Sequence, residues 1–251
     1  MRLTLIAAAA IAASLAVSPA AAQDAPLRVA IYNLTPFGAD PPGGYCFELM
    51  NEIAVRTGLT IASFHPMGVP DMIPSVANGT VDILCSALAP NNERRGMGVV
   101  FTGPLFVNGE TIVIHDDNAA SFRTLAEMRD LRIAANSGSA NLRQLEAAGH
   151  PNIVVYEGNQ ATGAELVLAG QADALLTNAA EFRYNQDMIG LWADLKNMDG
   201  YVPTRVSYAA IAVRPGDTAL LGTIQAAIEL LKLDGYLASL NDKYGLLQPV
   251  F

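Results

Sequence analysis

The chain is 251 residues long, with 15 basic and 24 acidic side chains and a formal net charge of −9. Only three of its cations are lysines, Lys196, Lys232 and Lys243, so it lacks the basic clusters that nucleic acid or an anionic lipid surface requires. Apolar residues make up 51% of the chain, yet beyond the N-terminus no stretch approaches the ~20 uninterrupted apolar residues of a membrane-spanning helix.

The first element in chain order is a leader. Arg2 precedes an apolar run from Leu3 to Val17 and the small residues Ala20-Ala21-Ala22, the layout of a cleaved signal peptide over residues 1–22. Export to the periplasm is expected, with a mature chain starting near Gln23 and no Cys there to accept a lipid. About 230 residues then remain, enough for one large domain or two lobes of roughly 100 residues each. Short apolar runs at 27–32, 81–86, 111–115, 132–135, 153–156, 172–177 and 207–213 predict strands. Helical patterns lie between them. The segment 47–58 puts Phe47, Met50, Ile53 and Ala54 on one face and stops on Gly58. Further helices are predicted at 139–148, 161–169, 178–185 and 218–244, the last broken at Asp234-Gly235.

This βα alternation predicts an α/β fold with mostly parallel sheets. Two β-rich passages, 111–116 and 207–214, flank a middle block with βα units of its own. If both cross between lobes, 23–112 and 211–251 form one lobe and 113–210 the other, joined by a two-strand hinge. One continuous doubly wound sheet is the competing topology. Cys46 and Cys85 would meet an oxidising compartment after export. A bridge between them would close a loop of about 40 residues, worth roughly 4 kcal/mol in the loop-entropy model; two buried thiols that never meet are the alternative.

Five passages in the same order carry a family resemblance. Gly44-Tyr-Cys-Phe-Glu-Leu-Met50 resembles the Gly-Phe-Asp-Val-Asp-Leu entry of family 3 (polar amino-acid type) extracellular solute-binding proteins. Met72-Ile-Pro-Ser-Val-Ala-Asn-Gly-Thr-Val-Asp82 fits the same template, as does Asn92-Glu-Arg-Arg95 with Val99-Val-Phe-Thr-Gly-Pro104. Asn136-Ser-Gly-Ser-Ala140 and Gly170-Gln-Ala-Asp-Ala-Leu-Leu-Thr-Asn178 complete the set. The resemblance implies a type II periplasmic binding protein: two Rossmann-like lobes that close around a small molecule, commonly for the membrane components of an ABC importer. A monomer without cofactor is expected.

The resemblance also nominates residues. Arg95 stands seven residues before Thr102, at the spacing of the family's carboxylate clamp; a guanidinium suits that role because it offers two parallel donors. Arg94, its neighbour, is expected to point elsewhere. Asn92 takes the place of a family hydroxyl, or else Asn91-Asn92 simply caps a short helix. The stretch from Asp82 to Arg95 is one residue longer than the common pattern, so Ser86 and Ala87, whose small side chains leave room for a ligand, carry an uncertainty of one position. Ser137, Gly138 and Ser139 lie between a strand and a helix, which makes either an anion site or an ordinary cap. At Asn178 the family has an Asp that receives the ligand ammonium, and the available substitute is Glu181, three residues on. Tyr32 is either an aromatic platform or a core residue, Leu34 stands where the family often has an aromatic, and Cys46 replaces an Asp.

A small carboxylate-bearing ligand follows, with the presence of an α-amine left open. His65, His115 and His150 share no metal-ligand spacing, and no Gly-x-Ser-x-Gly, Walker or dinucleotide motif occurs. A binder is therefore expected rather than an enzyme. The alternatives are a cyclohexadienyl dehydratase-like enzyme on the same fold, with Glu181 as general acid, and a ligand-sensing partner of a membrane receptor.

Overall fold

The computed structural model describes residues 25–33, 35–38 and 43–249; the expected leader and Leu34 lie outside them. Its first sheet has the order β2-β1-β3-β11-β4, with β1 at Leu27–Tyr32, β2 at Ile61–Met67, β3 at Ile83–Cys85, β4 at Val100–Phe101 and β11 at Ala212–Val213. Strand β1 is parallel to β2 and β3, while β11 runs antiparallel to β3 and β4. Five of the six β1 residues are buried, because a parallel sheet is covered on both faces and its strands become continuous apolar runs. Strand β2 escaped the sequence patterns for the opposite reason. None of its residues is fully buried and it contains Pro66, which an edge strand tolerates.

Helices α1 (Gly44–Thr57) and α2 (Val69–Ala77) pack on this sheet, and α7 (Thr218–Leu233) and α8 (Tyr236–Lys243) pack on α1 within the same core. The face that α1 buries is Tyr45, Cys46, Leu49, Met50 and Ile53, one position round from the expected stripe, with Phe47 held at its margin against Phe64 at 4.6 Å. It ends on Gly58 at φ 74°, a left-handed value that glycine adopts without penalty. The α7–α8 break falls at Asp234-Gly235, where Asp234 Oδ1 accepts from the Tyr236 N–H at 3.0 Å.

The second sheet has the order β10-β5-β8-β6-β7, with β9 also on β5. These strands are β5 (Phe106–His115), β6 (Ile133–Asn136), β7 (Ile153–Tyr156), β8 (Ala174–Asn178), β9 (Leu195–Asn197) and β10 (Val206–Ala209). Alternation along the strands divides the residues between two cores. Ile112, Ile114, Ile133, Ala135, Ala174 and Leu176 pack on one face, and Val113, Ala134 and Leu175 on the other. Helix α4 (Ala140–Ala147) packs on β6, α5 (Gln160–Leu168) on β6 and β8, and α6 (Ala179–Arg183) on β5 and β8. A π-helical turn, Tyr184–Met188, follows α6.

The chain passes between sheets on β5 and returns on β10, which pair antiparallel from Val206↔Gly109 to Ala209↔Phe106. Leu105 and Phe106 belong to the first core and Ile112 to the second. The outward crossing thus falls between Phe106 and Ile112, a few residues earlier than the apolar run suggested.

Cys46 of α1 and Cys85 of β3 form a disulfide with a Cα–Cα distance of 5.5 Å, both residues fully buried. Cys46→Ser with Cys85→Ser is expected to lower the unfolding free energy by about 2–4 kcal/mol. Equal denaturation midpoints with and without reductant in the wild type would contradict this. A second test concerns Gly163 in α5, where a Cβ would lie 2.7 Å from Leu175 Cδ1 and from the Tyr156 ring. Gly163→Ala gains about 1 kcal/mol of helix propensity but overpacks two buried side chains at a cost of about 1–3 kcal/mol. A net fall in melting temperature is expected.

Candidate functional site

A cleft with about 710 Å³ of atom-free space, part of it open to solvent, lies between the two sheets. Its walls follow from the topology. Tyr32, Asn136, Tyr156 and Asn178 are the last residues of β1, β6, β7 and β8, and Ser86 directly follows β3. Open α/β sheets present their ligand sites at these carboxyl ends, and here two sets of ends face one another.

Arg94 enters the cleft from α3 (Asn92–Gly96). It is 5% exposed, and its Nη1 donates to the Ala89 carbonyl at 2.6 Å. Among the described residues no carboxylate forms an ion pair with it. Burial, then repulsion from Arg143 and Arg205, lowers its pKa to about 10, so the guanidinium remains charged at neutral pH.

This corrects the expectation for Arg95, which is exposed, sits over the Phe101 ring at 5.5 Å and does not line the cleft. Adjacent helical residues diverge by about 100°, so only one of the two arginines can face inward. Asn92 is likewise exposed and outside the cleft. Asn91 is the cap instead, its Oδ1 accepting from the Arg94 N–H at 2.7 Å. The signal was present in the extra residue between Asp82 and Arg95: counting forward from Asp82 selects Arg94, whereas counting back from Thr102 selects Arg95.

On the other wall, Ser139 caps α4, with Oγ accepting from the Leu142 N–H at 3.1 Å, and lines the cleft with Ala140 and Asn141. Ser137 does not line it; its N–H donates to the Tyr156 carbonyl at 2.9 Å, completing the turn out of β6. Gly138 borders an adjoining groove against Pro70 of α2. Beside it, Arg143 Nε and Glu93 Oε2 approach to 3.3 Å, so the lobes touch at the lip through an exposed pair of small energetic weight. Ser86 and Ala87 both line the cleft; Ser86 Oγ accepts from the Leu88 N–H at 3.1 Å, and the Ala87 carbonyl accepts from Asn108 Nδ2 at 2.8 Å.

Asn178 Oδ1 accepts from the backbone N–H groups of Ala180 at 2.9 Å and Glu181 at 3.4 Å. Because those partners can only donate, the amide is turned with its oxygen toward α6 and its Nδ2 left as a donor. Glu181 is 5% exposed and lines the cleft, and its Oε1 has no hydrogen-bond partner among the described residues. Burial raises its pKa to about 8, so the carboxyl is mostly neutral at pH 7. Tyr32 and Tyr156 sense the Glu181 charge, and burial holds both hydroxyls above the usual tyrosine range.

Sequence reasoning missed Asn108, Asn141 and Arg205, which also line the cleft. Arg205 donates from Nη2 to Asn141 Oδ1, and its Nε lies 3.5 Å from Glu110 Oε2; burial lowers its pKa despite that neighbour. The Glu110 side chain is fully buried. Its Oε1 accepts from Gln144 Nε2 at 2.9 Å, the Tyr201 hydroxyl at 2.8 Å and the Thr204 N–H at 2.9 Å. The available signal was Asn108 and Glu110 at alternate positions of β5, hence on one face. The histidines stay apart: His65 bonds Ser63, His150 is buried against the Met128 carbonyl rather than exposed, and His115 pairs with Asp116 and Asp117 at the surface.

The chain is similar to known solute-binding proteins over most of its length. The chain is 25% identical over 213 residues to the amino-acid-binding protein AabA of Dichelobacter nodosus, covering 81% of this chain and 79% of that one. It is 26% identical over 254 residues to the L-arginine-binding protein of Pseudomonas aeruginosa, covering 94% and 93%. A mutant ArgBP from T. maritima shares the fold with a TM-score of 0.77 and 23% identity, over 87% of this chain and 94% of that one. Residues 27–247 match the sequence profile of the bacterial extracellular solute-binding proteins, family 3, and the chain belongs to that family.

Proposed function

We propose that the chain is a periplasmic solute-binding protein that captures a small carboxylate-bearing ligand, an amino acid or related organic acid, and presents it to the membrane components of an ABC importer. The observation that carries this reading is Arg94, a buried cation without an acidic partner among the described residues, aimed into a cleft walled by two lobes. A buried charge is costly until it is paired, and a planar carboxylate is the partner that a guanidinium fits best. Ser139 and the start of α4 face Arg94 from the other lobe, so a bound anion would be held from both sides.

The binding names of the two curated relatives support capture over turnover. Rotation of the lobes about β5 and β10 would open and close the cleft. Such hinge closure is the common motion of two-lobed binders.

The test is calorimetric titration with the twenty protein L-amino acids and the 2-hydroxy acids that share their side chains. Arg94→Ala is expected to weaken whichever ligand binds by at least ~30-fold, the consequence of removing one side of a buried charge pair. Arg95→Ala, on the surface, is expected to leave affinity within about threefold. Equal losses in the two variants, or a loss in Arg95→Ala alone, would refute the assignment.

A further inference from the structure

We infer that Glu181 receives an amino group of the ligand, and that capture of this amine expels the proton from the Glu181 carboxyl to solvent. The inference rests on the carboxylate-binding reading and adds the second half of the ligand.

Two buried side-chain oxygens that line the same cleft have no hydrogen-bond partner among the described residues, Glu181 Oε1 and Asn108 Oδ1. Asn108 cannot be turned to satisfy itself, since its Nδ2 is held by the Ala87 carbonyl. Leaving such groups unpaired is expensive, and a simple carboxylate, which brings only acceptors, can accept from the protonated Glu181 carboxyl but does not relieve Asn108 Oδ1. A ligand carrying N–H donors does. The end of β8 is not available to it, because Asn178 has spent its oxygen on the α6 cap. Among the described residues, Glu181 is the acidic group in the cleft wall.

The surroundings of Glu181 set its protonation. From β1 and β7 the Tyr32 and Tyr156 hydroxyls face it, both uncharged at neutral pH. The cations lining the cleft are Arg94 and Arg205, and among the described residues neither forms an ion pair with it. Without a bonded cation, burial keeps the carboxyl protonated up to about pH 8. An arriving ammonium supplies the missing positive charge and favours the ionised form. One proton passes from the carboxyl to buffer, and the ammonium keeps its own. Linkage gives the sign: below pH 8, binding carries the cost of deprotonation, so affinity rises with pH by about tenfold from pH 6 to 7 and levels off above pH 8.

Titrations at pH 6.5 in buffers of different ionisation enthalpy measure the proton directly, using the same L-amino acids and 2-hydroxy acids. The expected result is release of about one proton per amino acid bound and none for a hydroxy acid. Glu181→Gln should abolish the release and weaken amino acids selectively, with thermal unfolding checking that the variant folds. Asn178→Asp retains the capping oxygen and should reduce the release, because a second carboxylate then meets the ammonium. Binding confined to hydroxy acids, or amino-acid heats identical in every buffer, would overturn this inference while leaving the Arg94 reading intact. Failure of both ligand sets to bind would overturn both.

Discussion

The antiparallel pairing of β5 with β10 is the constraint from which the site derives. The two crossings are hydrogen-bonded to one another over Phe106–Gly109 and Val206–Ala209, and Ser207 Oγ adds a bond to the Asn108 carbonyl at 3.1 Å. Phe106 anchors the near end, stacked on Phe37 at 5.5 Å and met edge-on by Tyr45 at 5.2 Å. Once this ribbon is set, the carboxyl ends of β1 and β3 and those of β6, β7 and β8 face each other across one cleft. Helix α8 and the residues after it brace the ribbon: Asn241 Nδ2 of α8 donates to the Leu105 carbonyl at 3.0 Å, and the Val107 N–H donates to the Leu247 carbonyl at 2.8 Å.

Desolvation then acts on two cleft residues with opposite outcomes. It moves both titrations toward neutrality, Arg94 down to about 10 and Glu181 up to about 8. A guanidinium begins so far above physiological pH that it stays charged, whereas a carboxyl begins below it and is neutralised. The cleft wall therefore carries positive charge beside a proton-bearing acid, a combination that favours anions over cations. Glu110, hidden beneath this surface, ties Thr204 and Tyr201 to β5 and keeps Arg205 close.

Much of the fold was legible along the chain. Apolar runs bounded by turn residues located most strands of both sheets, because strands buried on two faces must be apolar throughout. Edge strand β2 was not legible, since partial exposure leaves its composition mixed. Of the nominated site residues, Tyr32, Ser86, Ala87, Ser139, Asn178 and Glu181 line the cleft, while Arg95, Asn92, Ser137 and Gly138 do not. The misses at Arg95 and Asn92 come from one insertion. Spacing measured from either flank is equally valid on paper, and only the helical phase of α3 decides which side chain turns inward.

What the sequence by itself determined was the α/β alternation, the family pattern and the chemistry available at each strand end. These are local properties, written in periodicity and in residue type. Tertiary structure decided which of two adjacent arginines is buried, that Asn178 spends its oxygen on a helix cap, and that Glu181 Oε1 has no hydrogen-bond partner among the described residues. Those outcomes depend on helical phase, on hydrogen-bond geometry and on the water excluded by the opposite lobe, and none of the three exists until the two sheets face each other.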